Sequence, residues 1–189
     1  DTESIFYQHF DDYDDFIALA FELAREADPD ARLFLNEIFP SIQIAKFEGL
    51  LTLVTRLLAR GVPIDGVGFQ GHFVVSLPDY ETLRERLQAF ADLGLDVELT
   101  EVDVSIALVD DAPDPFIAQG RVYADIVSAC LDVSRCTGVT TWNAHDGLTW
   151  LDRDALFSVT APHQPTLFNA DLTPKPAYYS VVEAFRSRL

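Results

Sequence analysis

The sequence predicts an α/β fold in which parallel strands are covered by helices. Three observations predict it. Apolar residues recur at helical spacing in some segments and crowd into short strand-like runs in others. The two kinds alternate, with one helix followed by strand and helix four times over. Each strand-like run ends in polar or aromatic residues: Asn36-Glu37, Gln70 and His72, Glu101 and Asp103, and Trp142 through Asp146. The alternation suits a β/α barrel or an open doubly wound sheet. No glycine-rich phosphate loop stands at a strand–helix junction, which counts against a nucleotide-binding sheet. In barrels the C-terminal strand ends carry the site. A complete (β/α)8 barrel has eight strands and roughly 250 residues. This chain of 189 residues is expected to supply half of one, the last four β/α units, as a single domain over residues 1–189.

The elements follow in order. "YDDFIALAFELAREA" (13–27) carries Phe16, Leu19 and Leu23 at helical spacing, and Asp28-Pro29 stops it. "RLFLNE" (32–37) reads as a short buried strand. Residues 44–60 form an amphipathic helix through Ile44, Phe47, Leu51, Val54 and Leu58, closed by Gly61. "IDGVGFQGH" (64–72) is a strand whose glycines allow close backbone approach. Residues 79–93 are a helix opened by Pro78 and stopped by Gly94. "DVELTEVDV" (96–104) is the next strand. Residues 115–133 are a helix with Asp114 as N-cap and Pro115 in its first turn. "GVTTWNAHD" (138–146) is the last strand, and residues 176–188 close the chain as a helix.

Strict alternation on "VELTEVDV" puts Val97, Leu99, Glu101 and Asp103 on one face and Glu98, Thr100 and Val102 on the other. The first set is expected to fill the barrel and reach its mouth as acids. His72, at the end of the neighbouring strand, can donate to both carboxylates and keep Glu101 ionised. A lone rim histidine satisfied by its surroundings is the plainer alternative. Metal binding is disfavoured because one His sits near the acids with no second His at ligand spacing. No nucleophile-elbow sequence supports a Ser–His–Asp triad. Trp142 and Trp150 bracket the polar "NAHDGLT"; they are either core residues or flat platforms for a sugar ring.

Bulk properties narrow the partners. Thirty-one acids against 13 bases give a net charge of −18. Aspartate accounts for 21 acids and lysine for only two bases, Lys46 and Lys175, a bias that fits a salt-adapted surface. Such a field repels nucleic acid and anionic membranes and suits a neutral ligand. No run reads as a membrane span or a signal peptide. The absence of methionine leads us to expect a piece processed or excised from a longer chain. Cys130 and Cys136 match no zinc spacing. They are either two buried thiols or a local disulfide, and the disulfide would indicate an oxidising, secreted setting.

Taken together these residues resemble the endo-β-1,4-xylanases of glycoside hydrolase family 10. The family's seventh strand closes with Thr-Glu-Leu-Asp, and here stands Thr100-Glu101-Val102-Asp103. Its sixth reads Gly-Val/Ile-Gly-x-Gln-x-His, here "GVGFQGH". Its eighth reads Trp-Gly-x-x-Asp-x-x-Ser-Trp, here "WNAHDGLTW", preceded by a cysteine pair. Lys-Pro-Ala-Tyr recurs at 175–178.

The resemblance implies a retaining glycosidase acting on xylan or xylo-oligosaccharides without a cofactor. Glu101 would be the nucleophile, His72 and Asp103 the partners that align it, and Gln70, Trp142 and Trp150 contacts of the cleaved sugar. Asn36, in the place of the first Asn of the family's fifth-strand Asn-Asp-Tyr-Asn, would be a substrate contact. That strand departs from the pattern as Asn36-Glu37-Ile38-Phe39, and Trp-Gly becomes Trp142-Asn143. The family's acid/base follows an Asn at the end of strand four. The opening "DTESIFYQHF" resembles the segment just after that strand, so the acid/base is expected upstream, on an N-terminal half of the same barrel. Glu37 is a second Asn-Glu pair and the in-chain alternative for that role. A related β-1,4-glucanase and a non-catalytic, sugar-binding or self-associating half-barrel are the competing expectations.

Overall fold

The computed structural model describes residue 10, residues 12–153 and residues 162–188. The opening segment, apart from residue 10, lies outside the described residues. Helix α1 spans Tyr13–Ala27, capped by the Asp12 carboxylate, which accepts the Asp14 N–H at 3.0 Å. The other elements are β1 Phe34–Glu37, α2 Ile44–Ala59, β2 Gly66–Phe69, β3 His72–Phe73, α3 Tyr80–Ala91, β4 Asp96–Val104, α4 Pro115–Leu131, β5 Cys136–Thr141 and α5 Pro176–Arg186.

All pairings between these strands are parallel, in the order β1-β2-β4-β5, with β3 beside the C-terminal end of β4. Helices connect successive strands, except β2 and β3, which only Gln70-Gly71 separate. Register sorts the two faces. Val67 aligns with Val97, and Phe69 with Leu99. All four are fully buried, and the Phe69 ring packs edge-on against Phe90 of α3 at 5.6 Å. These residues meet the helices. Asn36, Gly68, Glu98 and Gly138 form the level between them and face the concave side. A Cβ on Gly68 would lie 2.5 Å from Asn36 Oδ1, and one on Gly66 2.3 Å from the Phe34 ring. The bare backbone is what lets these two β1 side chains lean across β2.

Three expected strands are shorter than their sequence patterns, the run over 32–37 keeping only Phe34–Glu37. The run over 64–72 breaks at Gln70-Gly71, where Gly71 takes φ +81°. The run over 138–146 ends at Thr141, and Asn143 takes φ +86°. Both breaks lie where the backbone enters the left-handed region, which ends a ladder.

The main correction concerns β4. Its register with β5 slips between Leu99 and Val102, so that Thr100 and Glu101 together oppose Thr140. This bulge reverses the side-chain phase. Thr100 Oγ1 donates to Asn36 Oδ1 at 2.9 Å, and Asn36 Nδ2 donates to Glu101 Oε1 at 2.9 Å. Consecutive residues therefore meet one side chain, which alternation forbids. Val97 and Leu99 do not share a face with Glu101 and Asp103. They join Val102 and Val104 in the core beneath the helices.

Beyond β4 the chain is fastened from both sides. Val104 N–H donates to the Pro165 carbonyl at 3.0 Å and Ile106 N–H to that of His163 at 2.8 Å. Cys130 and Cys136 form a disulfide of S–S 2.02 Å, joining the end of α4 to the start of β5. No helix among the described residues is long and apolar enough to cross a membrane.

Candidate active site

The β4 bulge and the β2–β3 break bring one cluster to the C-terminal rim of the sheet. Glu101 stands at its centre, half-buried. The Glu101 N–H donates to the Gln70 carbonyl at 2.7 Å, and Gln70 N–H donates to the Glu37 carbonyl at 3.0 Å. The strand ends of β1, β2 and β4 are thus laced together below the carboxylate. Oε1 of Glu101 accepts from Asn36 at 2.9 Å, and Oε2 lies 3.3 Å from His72 Nε2. Among the described residues each carboxylate oxygen has one partner, which leaves lone pairs for a ligand.

His72 is buried and its register partner is Asp103. Its Nδ1 lies 3.0 Å from Asp103 Oδ1. Asp103 is fully buried, and its Oδ2 accepts from Trp150 Nε1 at 2.8 Å. Burial opposes charging the imidazole, but the hydrogen bond donated to Asp103 and the negative charges of Asp103 and Glu101 outweigh it. The ring's pKa lies above its ordinary 6.5. An imidazolium donates from both nitrogens, which fits a ring placed between two carboxylates. Trp142 and Trp150 meet that ring edge-on, with centroids at 5.9 and 5.1 Å. Trp142 is 42% exposed, so one aromatic wall is open to a ligand. The pair lines an open cavity of about 400 Å³ with Asn143, Leu148 and Arg153.

Of the residues expected at the site, Glu101, His72, Asp103, Asn36, Trp142 and Trp150 form one connected group. Gln70 joins it through its backbone. Glu37 does not join it. Its Oε1 accepts from Lys46 Nζ of α2 at 3.2 Å and from Ile38 N–H at 2.7 Å. It lies on the opposite face of β1 from Asn36, toward the helices. Asp146, expected with the polar rim, turns into the core. Its Oδ1 accepts from the Thr166 N–H and hydroxyl, both at 2.8 Å, and its Oδ2 from buried Lys175 at 3.0 Å. Among the described residues, no group of three or more His, Cys, Asp or Glu is arranged to hold a metal ion.

Sequence reasoning missed two features. The first is the Thr100–Asn36 bond created by the bulge. Its signal was present: buried apolar residues fall at 97, 99, 102 and 104, and the step of three marks an inserted residue. The second is the indole bond from Trp150 to Asp103, which the sequence reading replaced with a wall alone.

A model of Glycosyl hydrolase family 10 matches residues 1–184 of the chain. Endo-1,4-beta-xylanase 5 of Pyricularia oryzae is 38% identical over 168 residues, covering 88% of this chain and 40% of its own length. A thermostable mutant of a xylanase (Xyn10A) from Cellvibrio japonicus superposes with a TM-score of 0.85 at 36% identity, covering 96% of this chain and 57% of that one. The same values hold for a mutant of xylanase A from P. fluorescens subsp. cellulosa solved in complex with xylopentaose. The chain therefore spans only part of these relatives, 40% of the first and 57% of the two solved structures.

Proposed function

The chain belongs to glycosyl hydrolase family 10, and from that premise we propose that it is the nucleophile-bearing, C-terminal half of an endo-1,4-β-xylanase barrel. The observation that carries the proposal is Glu101, fixed by Asn36 on one oxygen and by His72 on the other. Held by two donors and facing the open concave side, this carboxylate is oriented for attack on an anomeric carbon. Attack forms the C1–O bond to Glu101 as the glycosidic C–O bond breaks, and an acid protonates the departing oxygen. Water then adds at C1, giving a proton back to the acid that protonated the departing oxygen, and the C1–O bond to Glu101 breaks to release its carboxylate. Asp103 and Trp150 act through His72, holding the ring charged and in line.

The acid is proposed to come from the part of the barrel that the relatives have and this chain does not span, since Glu37 is committed to Lys46. General acid assistance contributes roughly 10²–10⁴-fold. Little xylan hydrolysis is therefore expected from the 189-residue chain alone. Supplied with the N-terminal half of a relative's barrel it should cleave xylan, and Glu101→Ala should abolish this. Robust turnover by the isolated chain would overturn the assignment of the acid. The disulfide supports a secreted location.

A second reading rests on the seams. Leu19 and Leu23 of α1 and Tyr179 and Phe185 of α5 are exposed, and β1 and β5 each pair on one side only among the described residues. These edges suit the missing half-barrel or a second copy of the chain. Size-exclusion chromatography separates the two: a monomer that becomes a 1:1 complex with the N-terminal half supports the first, and a stable homodimer the second.

A further inference from the structure

The glycosidase reading gives Thr100 no task, yet its hydroxyl is one side chain removed from the nucleophile. Oγ1 of Thr100 donates to Asn36 Oδ1 at 2.9 Å, and Nδ2 of the same carboxamide donates to Glu101 Oε1 at 2.9 Å. The side chains of β1 and β4 meet across β2 because Gly68 carries none. The Thr100 methyl group fills part of that gap: a Cβ on Gly68 would lie 3.0 Å from Thr100 Cγ2. Branching at Cβ restricts χ1 of threonine, and the rotamer here sets the methyl group over Gly68 and the hydroxyl against Asn36. Asn36 needs such a hold. It is exposed on the concave side, and the torsion that turns its carboxamide is broad and roughly two-fold. Turned over, the amide would present Oδ1 to the Glu101 carboxylate, oxygen against oxygen. Donation from Thr100 to Oδ1 favours the orientation in which Nδ2 faces Glu101, and it polarises the amide so that its N–H is the stronger donor.

We propose that Thr100 is a positioning residue: acting through Asn36, its hydroxyl holds the Glu101 carboxylate at the angle of attack. A misplacement of an ångström at a reacting group can cost on the order of 100-fold in rate. A hydroxyl two hydrogen bonds from the carboxylate therefore helps set how fast the bond between the sugar and Glu101 forms. The inference rests on the reading of Glu101 as the nucleophile.

The test follows the covalent step alone. The chain, completed with the N-terminal half of a relative's barrel, is treated with a 2-deoxy-2-fluoro-xylobioside bearing a dinitrophenyl leaving group. Glu101 forms its bond to C1 as the bond from C1 to dinitrophenolate breaks, and no acid is required. Release of dinitrophenolate gives the rate constant of that step, and its dependence on reagent concentration gives the dissociation constant. Thr100→Val keeps the branching and removes the hydroxyl. It should slow the step roughly 3- to 10-fold, the worth of one neutral hydrogen bond, with the dissociation constant unchanged. Thr100→Ser keeps the hydroxyl and should retain most of the rate, even where loss of the methyl group lowers its denaturant midpoint. In an Asn36→Ala background Thr100→Val should cost nothing further, because its route to Glu101 is gone. An unchanged rate in Thr100→Val, an equal loss in Thr100→Ser, or the same loss in the Asn36→Ala background would overturn the proposal and leave Glu101 standing as the nucleophile. No labelling of Glu101 in the unaltered protein defeats both.

Discussion

Asn36 and Glu101, 65 residues apart, meet at 2.9 Å across β2, which lies between their strands. The contact exists because Gly68 offers no side chain in the gap and because a bulge turns Glu101 toward the concave face. Removing either cause should undo it.

Gly68→Ala is the direct test of the first cause. The added Cβ would lie 2.5 Å from Asn36 Oδ1 and 3.0 Å from Thr100 Cγ2, so Asn36 must leave Glu101. Overpacking of this kind costs about 1–3 kcal/mol, read as a lower denaturant midpoint. In the completed barrel kcat should fall as it does in Asn36→Ala. Combining the two substitutions should add little further loss of kcat, because both remove the same bond.

His72 should make stability depend on pH. Its pKa is raised on folding from an ordinary 6.5, so the folded state binds the proton more tightly. The resulting stability is fully present below pH 6.5 and is lost as pH rises through the folded value. Thermal melts of the chain and of His72→Asn across pH 5.5–8.5, a range of about three units around the ordinary imidazole value, should converge at the alkaline end. A gap that widens with pH would reverse the sign.

Lys175 is 1% exposed and Asp146 8%. Burial depresses the Lys175 pKa against the pull of Asp146. Lys175→Ala leaves Asp146 buried without its cation, which costs about 3–5 kcal/mol. Lys175→Ala with Asp146→Ala should recover part of that loss in a denaturant titration, since no unpaired charge remains.

The net charge of −18 predicts that salt stabilises the chain. Screening of repulsion among its carboxylates should raise the melting temperature between 0.1 and 1 M NaCl, by about 2–4 °C per kcal/mol gained. A fall in melting temperature over that range would show that attractive ion pairs such as Arg56–Asp14 outweigh the net repulsion.

Much of this was legible in the sequence because it is carried by local pattern. Helices α1 and α2 follow the apolar spacing read at 13–27 and 44–60, and α4 has its side-chain cap at Asp114. The ordered rim residues on consecutive strands put Asn36, His72, Glu101 and Asp103 in one place once the strands are parallel. What alternation could not show was phase. A single inserted residue in β4 moves Val97 and Leu99 to the helical side while leaving Glu101 at the mouth. Nor could residue type reveal direction. Glu37 and Asp146 look like rim acids, but Lys46 and Lys175 hold them elsewhere, and those partners come from α2 and from the residue just before α5.

The central claim is that Glu101 is the nucleophile. The chain, completed with the N-terminal half of a relative's barrel, is treated with a 2-deoxy-2-fluoro-xylobioside bearing a dinitrophenyl leaving group, which departs without an acid. Mass spectrometry of the peptides should then show one fluoro-xylobiosyl adduct, on the peptide carrying Glu101, and none in Glu101→Ala. An adduct on Glu37 or another carboxylate, or labelling that persists in Glu101→Ala, would contradict the account.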